Sequence, residues 1–133
     1  MLLVVARIIV AAVAIYFMAL GAIALVRPQS ARAFLLGFAD TSLKHYTELV
    51  ARLLAGAAML LVARDSAYPA ALAAFGWILV VSTAFMALMP WRLHHRFTQS
   101  AVPRALRYLP PIGMSSLIMG GLLFWVAVAG NAA

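Results

Sequence analysis

From Leu2 to Val26 a single charge, Arg7, interrupts an otherwise apolar run, and three further apolar runs follow at about 45–63, 67–89 and 111–130. A helix needs roughly 20 predominantly apolar residues to cross a bilayer, and each run is of about that length. The four runs and their connectors use up the whole chain of 133 residues, which leaves no room for a soluble domain. The expected fold class is therefore an all-α integral membrane protein, a single domain over 1–133 built as a four-transmembrane-helix bundle. Composition agrees: 67% of residues are hydrophobic and 10% charged, where a soluble domain is nearer half and a quarter. The first run has no basic region before it and is too long for a cleaved signal peptide, so it is expected as a retained helix.

Local signals set the segment ends. Pro28 cannot continue the first helix and disfavours helical geometry at Arg27. From Pro28 to Phe38 a short interfacial helix is expected, with Phe34, Leu35 and Phe38 sharing a face. Asp40, Thr41 and Ser42 are capping residues for the second segment, which then starts near Ser42 or Leu43. Arg64-Asp65-Ser66 is a turn so short that the second and third segments must be antiparallel neighbours. Pro69 suits the first turn of the third segment, Pro90 ends it, and a second long connector carries Trp91, Arg92, His94, His95 and Arg96.

The net charge of +7 comes mainly from the connectors. Without interleaved stacking aromatics these cations do not form a nucleic-acid surface, and no nucleic-acid partner is expected. Connectors 27–44 and 90–107 hold Arg27, Arg32, Lys44, Arg92, Arg96, Arg104 and Arg107, against Arg7 and Arg64 on the other side. The positive-inside rule then puts both long connectors in the cytoplasm and both termini on the same non-cytoplasmic side, as suits a multi-pass protein of a bacterial inner, or plasma, membrane. The chain has no cysteine, which removes disulfides, thiolate chemistry and iron–sulfur clusters.

One stretch is too polar for its surroundings. At 100° per residue His45, Glu48, Arg52, Gly56 and Met59 fall within a stripe about 80° wide at the start of the second segment. A charge at the depth of Arg52 is costly unless paired, and Glu48 one turn earlier is its natural partner. His45, Glu48, Arg52 and Gly56 are therefore the candidates for holding a ligand or partner, either around a cavity or as an intrahelical ion pair that locks the segment. Trp91, Arg92, His94, His95 and Arg96 are candidates for headgroup or interface contact, and Arg7 with Asp65 for an ion pair on the outer side. His94 and His95 point about 100° apart and make no chelating pair, so no metal site and no haem are expected. Ser82 and Thr83 can donate to their own helix and demand no partner. Small residues spaced four apart, including Ala51 and Ala55, Ala70 and Ala74, and the Gly113, Ser116, Gly120 stripe, serve helix packing. No phosphate loop and no nucleophile triad occur, and three acidic residues are too few for a divalent-metal site, so no catalytic residue is assigned.

The run Pro28 to Gly37, the pattern Glu48-x3-Arg52-x3-Gly56, and Phe75-Gly76-Trp77 together resemble the DoxX-like group of small bacterial four-helix membrane proteins. The resemblance implies a four-helix bundle and, for some members, association with quinone-linked redox enzymes as a small membrane subunit. The expected function is an oligomer or accessory subunit whose cytoplasmic-side polar face binds a lipid headgroup, a quinone-like molecule or a partner helix. The expected partners are membrane lipids and further copies or a larger complex. No resident cofactor is expected, with a quinone or lipid as the admitted ligands. The alternative is a small oligomeric transporter or channel lined by Glu48 and Arg52.

Overall fold

Helix α1 runs from Leu2 to Val26 and breaks at Arg27, where Pro28 starts α2, Pro28–Leu36. The computed structural model describes residues 1–37 and 40–129, and over these it is helical with no strand. The chain continues with α3 (Ser42–Ala63), α4 (Pro69–Leu88), α5 (Trp91–Ala105), a short 3-10 turn (Leu106–Tyr108) and α6 (Leu109–Ala129). Four stretches are long and apolar enough to cross a membrane: α1, α3, α4, and the continuous helical stretch that ends in α6. The expected segments are recovered with small shifts at their ends. Phe38 and Gly130, assigned to helix ends by sequence, lie outside the described residues.

Thr41 is the cap that starts α3, its hydroxyl accepting from the Lys44 backbone N–H at 3.2 Å. Pro69 opens α4, as its missing N–H allows. The connector after Pro90 is not irregular: it is the amphipathic helix α5, with His94 and Thr98 turned inward. Pro103 sits in its last turn, where only one backbone bond is lost. In α2 the inward residues are Ala31 and, partly, Leu35, whereas Phe34 is half exposed. Ala31 meets Ala24, Leu106 and Leu109, so α2 and the end of α5 close one end of the bundle.

The strongest packing is α1 on α6 and α3 on α4. Both pairs are antiparallel and both depend on glycine. A Cβ built on Gly21 would fall 2.6 Å from the Gly113 carbonyl oxygen and 2.8 Å from the Leu117 backbone nitrogen. One on Gly120 would fall 2.8 Å from the Ala14 carbonyl oxygen. Between them Ser116 Oγ donates to the Phe17 carbonyl at 2.8 Å. The Gly113, Ser116, Gly120 stripe is thus consumed inside the chain by α1. A second core joins Ala6, Val10 and Ala14 to Ala58, Met59 and Val62 of α3, with Leu123 and Ala127 of α6. Beyond these seams the helices are apolar outward: Trp77, Ile78, Val81, Phe85 and Leu88 form an exposed face on α4. Such a face suits lipid as its solvent and not water.

Candidate functional site

The Glu48 and Arg52 side chains meet as the i, i+4 spacing on α3 demands, with Nη1 and Oε1 3.6 Å apart. Neither is freely solvated, with side-chain exposures of 18% for Glu48 and 31% for Arg52. Arg52 is held from a second helix as well. Its Nη2 donates to Ser82 Oγ at 2.7 Å and its Nε to Thr83 Oγ1 at 3.3 Å. Both hydroxyls donate in turn to the Leu79 carbonyl. Ser82 and Thr83 donate to their own helix, as expected from sequence; a hydroxyl that does so keeps its lone pairs, and Arg52 donates to them.

Glu48 is less well served. Its Oε2 is buried and, among the described residues, is the one buried side-chain nitrogen or oxygen with no hydrogen-bond partner. The Glu48 side chain lines a cleft of about 1030 Å³ between α1, α2 and α3, with Oε2 just beneath the wall. The walls are apolar, with Ile9, Val13 and Phe17 from α1, Phe34 from α2, and Leu54 from α3. At the rim Lys44 Nζ is tied to the Gly37 carbonyl at 3.2 Å and to Asp40 at 3.4 Å. Tyr16 also lines the cleft. The site is a largely apolar recess with a carboxylate and a guanidinium at one wall.

The polar stripe on α3 does not act as one face. His45 is 1% exposed and turns to α5, where its Nδ1 lies 2.7 Å from His94 Nδ1. One ring must carry its proton on Nδ1 and donate, while the other accepts with its proton on Nε2. His94 is therefore removed from the headgroup candidates: it is buried and ties α5 to α3. Gly56 is removed from the ligand candidates. A Cβ there would lie 2.9 Å from the Gly76 carbonyl oxygen, so Gly56 is the α3–α4 contact point. The stripe is narrow in angle, but its residues stand at successive heights along α3, and the neighbouring helix changes with height.

Trp91 and His95 pack ring to ring at 5.9 Å, and Arg92 and Arg96 are exposed. The outer pair is not formed. Among the described residues the ion pairs are Lys44–Asp40 and Arg52–Glu48. Arg7 lies one residue off the buried Ala6 and Val10 line, and Asp65 is taken up in the turn after α3. No group of three or more metal-ligating side chains occurs among the described residues. No protein-family model, curated protein or solved structure matches the chain, so the DoxX-like resemblance gains no support from those comparisons.

The histidine pair supplies a first expected result. His94→Ala leaves the His45 Nδ1 buried without its partner, at a cost of about 1–2 kcal/mol. Thermal unfolding in detergent should fall accordingly, and proteolysis within α5 should become faster than in the unaltered protein. An unchanged cleavage rate would mean that the pair does not hold α5.

Proposed function

We propose that this is a multi-pass protein of a bacterial inner membrane that holds one membrane amphiphile, a lipid or quinone-like molecule, in the cleft between α1, α2 and α3. The observation that carries the reading is Glu48 Oε2, a buried acceptor without a donor just beneath the wall of a largely apolar recess, where a small side-chain shift brings it to a ligand. Buried polar atoms in folded proteins are overwhelmingly paired, and an exception at a cleft wall invites a ligand donor. The apolar walls take the tail, and Glu48 with Arg52 takes the head. The cationic connectors support a cytoplasmic position for this end of the bundle. Because the Gly113 to Gly120 stripe is used within the chain, what supports association with another subunit is the unpartnered apolar face of α4.

The test is organic extraction and mass spectrometry of protein purified in mild detergent. The unaltered chain is expected to retain about one lipid or quinol per copy, with RT ln 10, about 1.4 kcal/mol, corresponding to each tenfold in affinity. Glu48→Gln should reduce that retention by about tenfold, by replacing the acceptor with an uncharged amide of the same shape. Equal retention in both proteins would reject the cleft as the binding site.

A further inference from the structure

We infer that the occupant of the cleft is a phospholipid whose headgroup carries a primary ammonium beside its phosphate, an inference that rests on the cleft holding an amphiphile at all. The argument is a donor and acceptor inventory. Glu48 Oε1 faces Arg52, and Oε2 accepts from nothing. A ligand here must bring an N–H or O–H. Arg52 has five N–H groups. Nε is used by Thr83, one N–H of Nη2 by Ser82, and one of Nη1 points toward Glu48. Two N–H groups remain, one on each terminal nitrogen, and they call for an acceptor. The complement is therefore a head with a donor and an acceptor side by side.

Charge narrows the class. Glu48 and Arg52 cancel, and Lys44 at the rim is offset by Asp40. A purely anionic head would gain at Arg52 and lose at Glu48. A zwitterion gains at both, with its ammonium on Glu48 and its phosphate oxygens on Arg52, through the charge-assisted bonds that are the stronger kind. A quaternary ammonium brings positive charge but no N–H for Oε2. A quinone offers only carbonyl acceptors, and the hydroxyls of a quinol can donate to Oε2 but bring no positive charge to Glu48 and no anionic oxygen to Arg52. The hydrophobic walls at Ile9, Val13, Phe17, Leu54 and Leu79 are sequence-neutral toward any acyl chain, so selectivity lies in the head.

The experiment is native mass spectrometry of the full chain from vesicles containing equal amounts of dioleoyl lipids with ethanolamine, choline and glycerol heads. The ethanolamine lipid should be enriched in the retained adduct by about tenfold over the choline lipid, which corresponds to about 1.4 kcal/mol. Glu48→Gln should abolish that preference while leaving the folded mass and charge-state distribution unchanged. Retention without headgroup preference, a preference for the glycerol lipid, or a quinol-mass adduct from native membranes would overturn this inference and leave the cleft intact as a binding site. An absence of any retained amphiphile would overturn both. The preference of the unaltered protein is readable even where the variant fails to fold.

Discussion

Gly21→Ala is expected to destabilise the folded chain by about 3 kcal/mol, the upper end of what overpacking costs. The new methyl would meet the Gly113 carbonyl oxygen at 2.6 Å and the Leu117 backbone nitrogen at 2.8 Å. Both atoms are backbone and have no rotamer to give, so α1 and α6 must separate along their whole seam. That seam includes Ser116 Oγ on the Phe17 carbonyl and the Gly120 contact with Ala14. Gly121→Ala is the matched control, because a Cβ there meets nothing within 4 Å. The thermal unfolding midpoint in detergent, followed by circular dichroism, should drop sharply for the first and stay level or rise slightly for the second, where alanine is the better helix former. A midpoint that rises in both would mean that glycine acts through helix propensity and not through close approach.

Arg52→Ala is expected to cost about 3 kcal/mol, the low end for breaking a buried ion pair, since both side chains keep some exposure. The change strands the Glu48 carboxylate at a cleft wall and removes the one side-chain tie from α3 to Ser82 and Thr83. Arg52→Lys should recover only part of the loss, because an ammonium cannot span two hydroxyls and a carboxylate in one plane as a guanidinium does. The double change Glu48→Gln with Arg52→Ala should be less damaging than Arg52→Ala alone, since no unpaired charge is then left behind. A strictly additive double-variant cycle would contradict the pairing.

Much of this architecture is readable along the chain. Apolar run lengths mark the four helices long and apolar enough to cross a membrane, Thr41 is among the caps that sequence nominates, and the Arg64-Asp65-Ser66 turn makes α3 and α4 antiparallel partners. The i, i+4 rule finds Glu48 with Arg52 because both lie on one helix. What sequence does not reveal is contact between helices. His45 and His94 are separated by 49 positions, and while the amphipathic pattern of α5 is local, nothing local states that α5 folds back onto α3. Likewise Gly56 shares an angular stripe with Glu48, yet its height along α3 places it against Gly76 and not beside the cleft. The hydroxyls of Ser82 and Thr83 carry a faint signal: two adjacent acceptors on a neighbouring antiparallel helix, about as far after the turn as Arg52 lies before it. Recess volume carries none, because it depends on how α2 is hung from α1 across Arg27.

The most direct measurement is photo-crosslinking in native membranes from a benzophenone side chain at position 51, a residue that lines the cleft beside Glu48. Mass spectrometry of the adduct is compared with that from position 81, on the exposed apolar side of α4. Position 81 reports the bulk lipid mixture. Position 51 is predicted to give one enriched amphiphile, and Glu48→Gln is predicted to return its adducts to the bulk distribution. Identical adduct distributions at positions 51 and 81 in the unaltered protein would contradict a selective amphiphile site in the cleft.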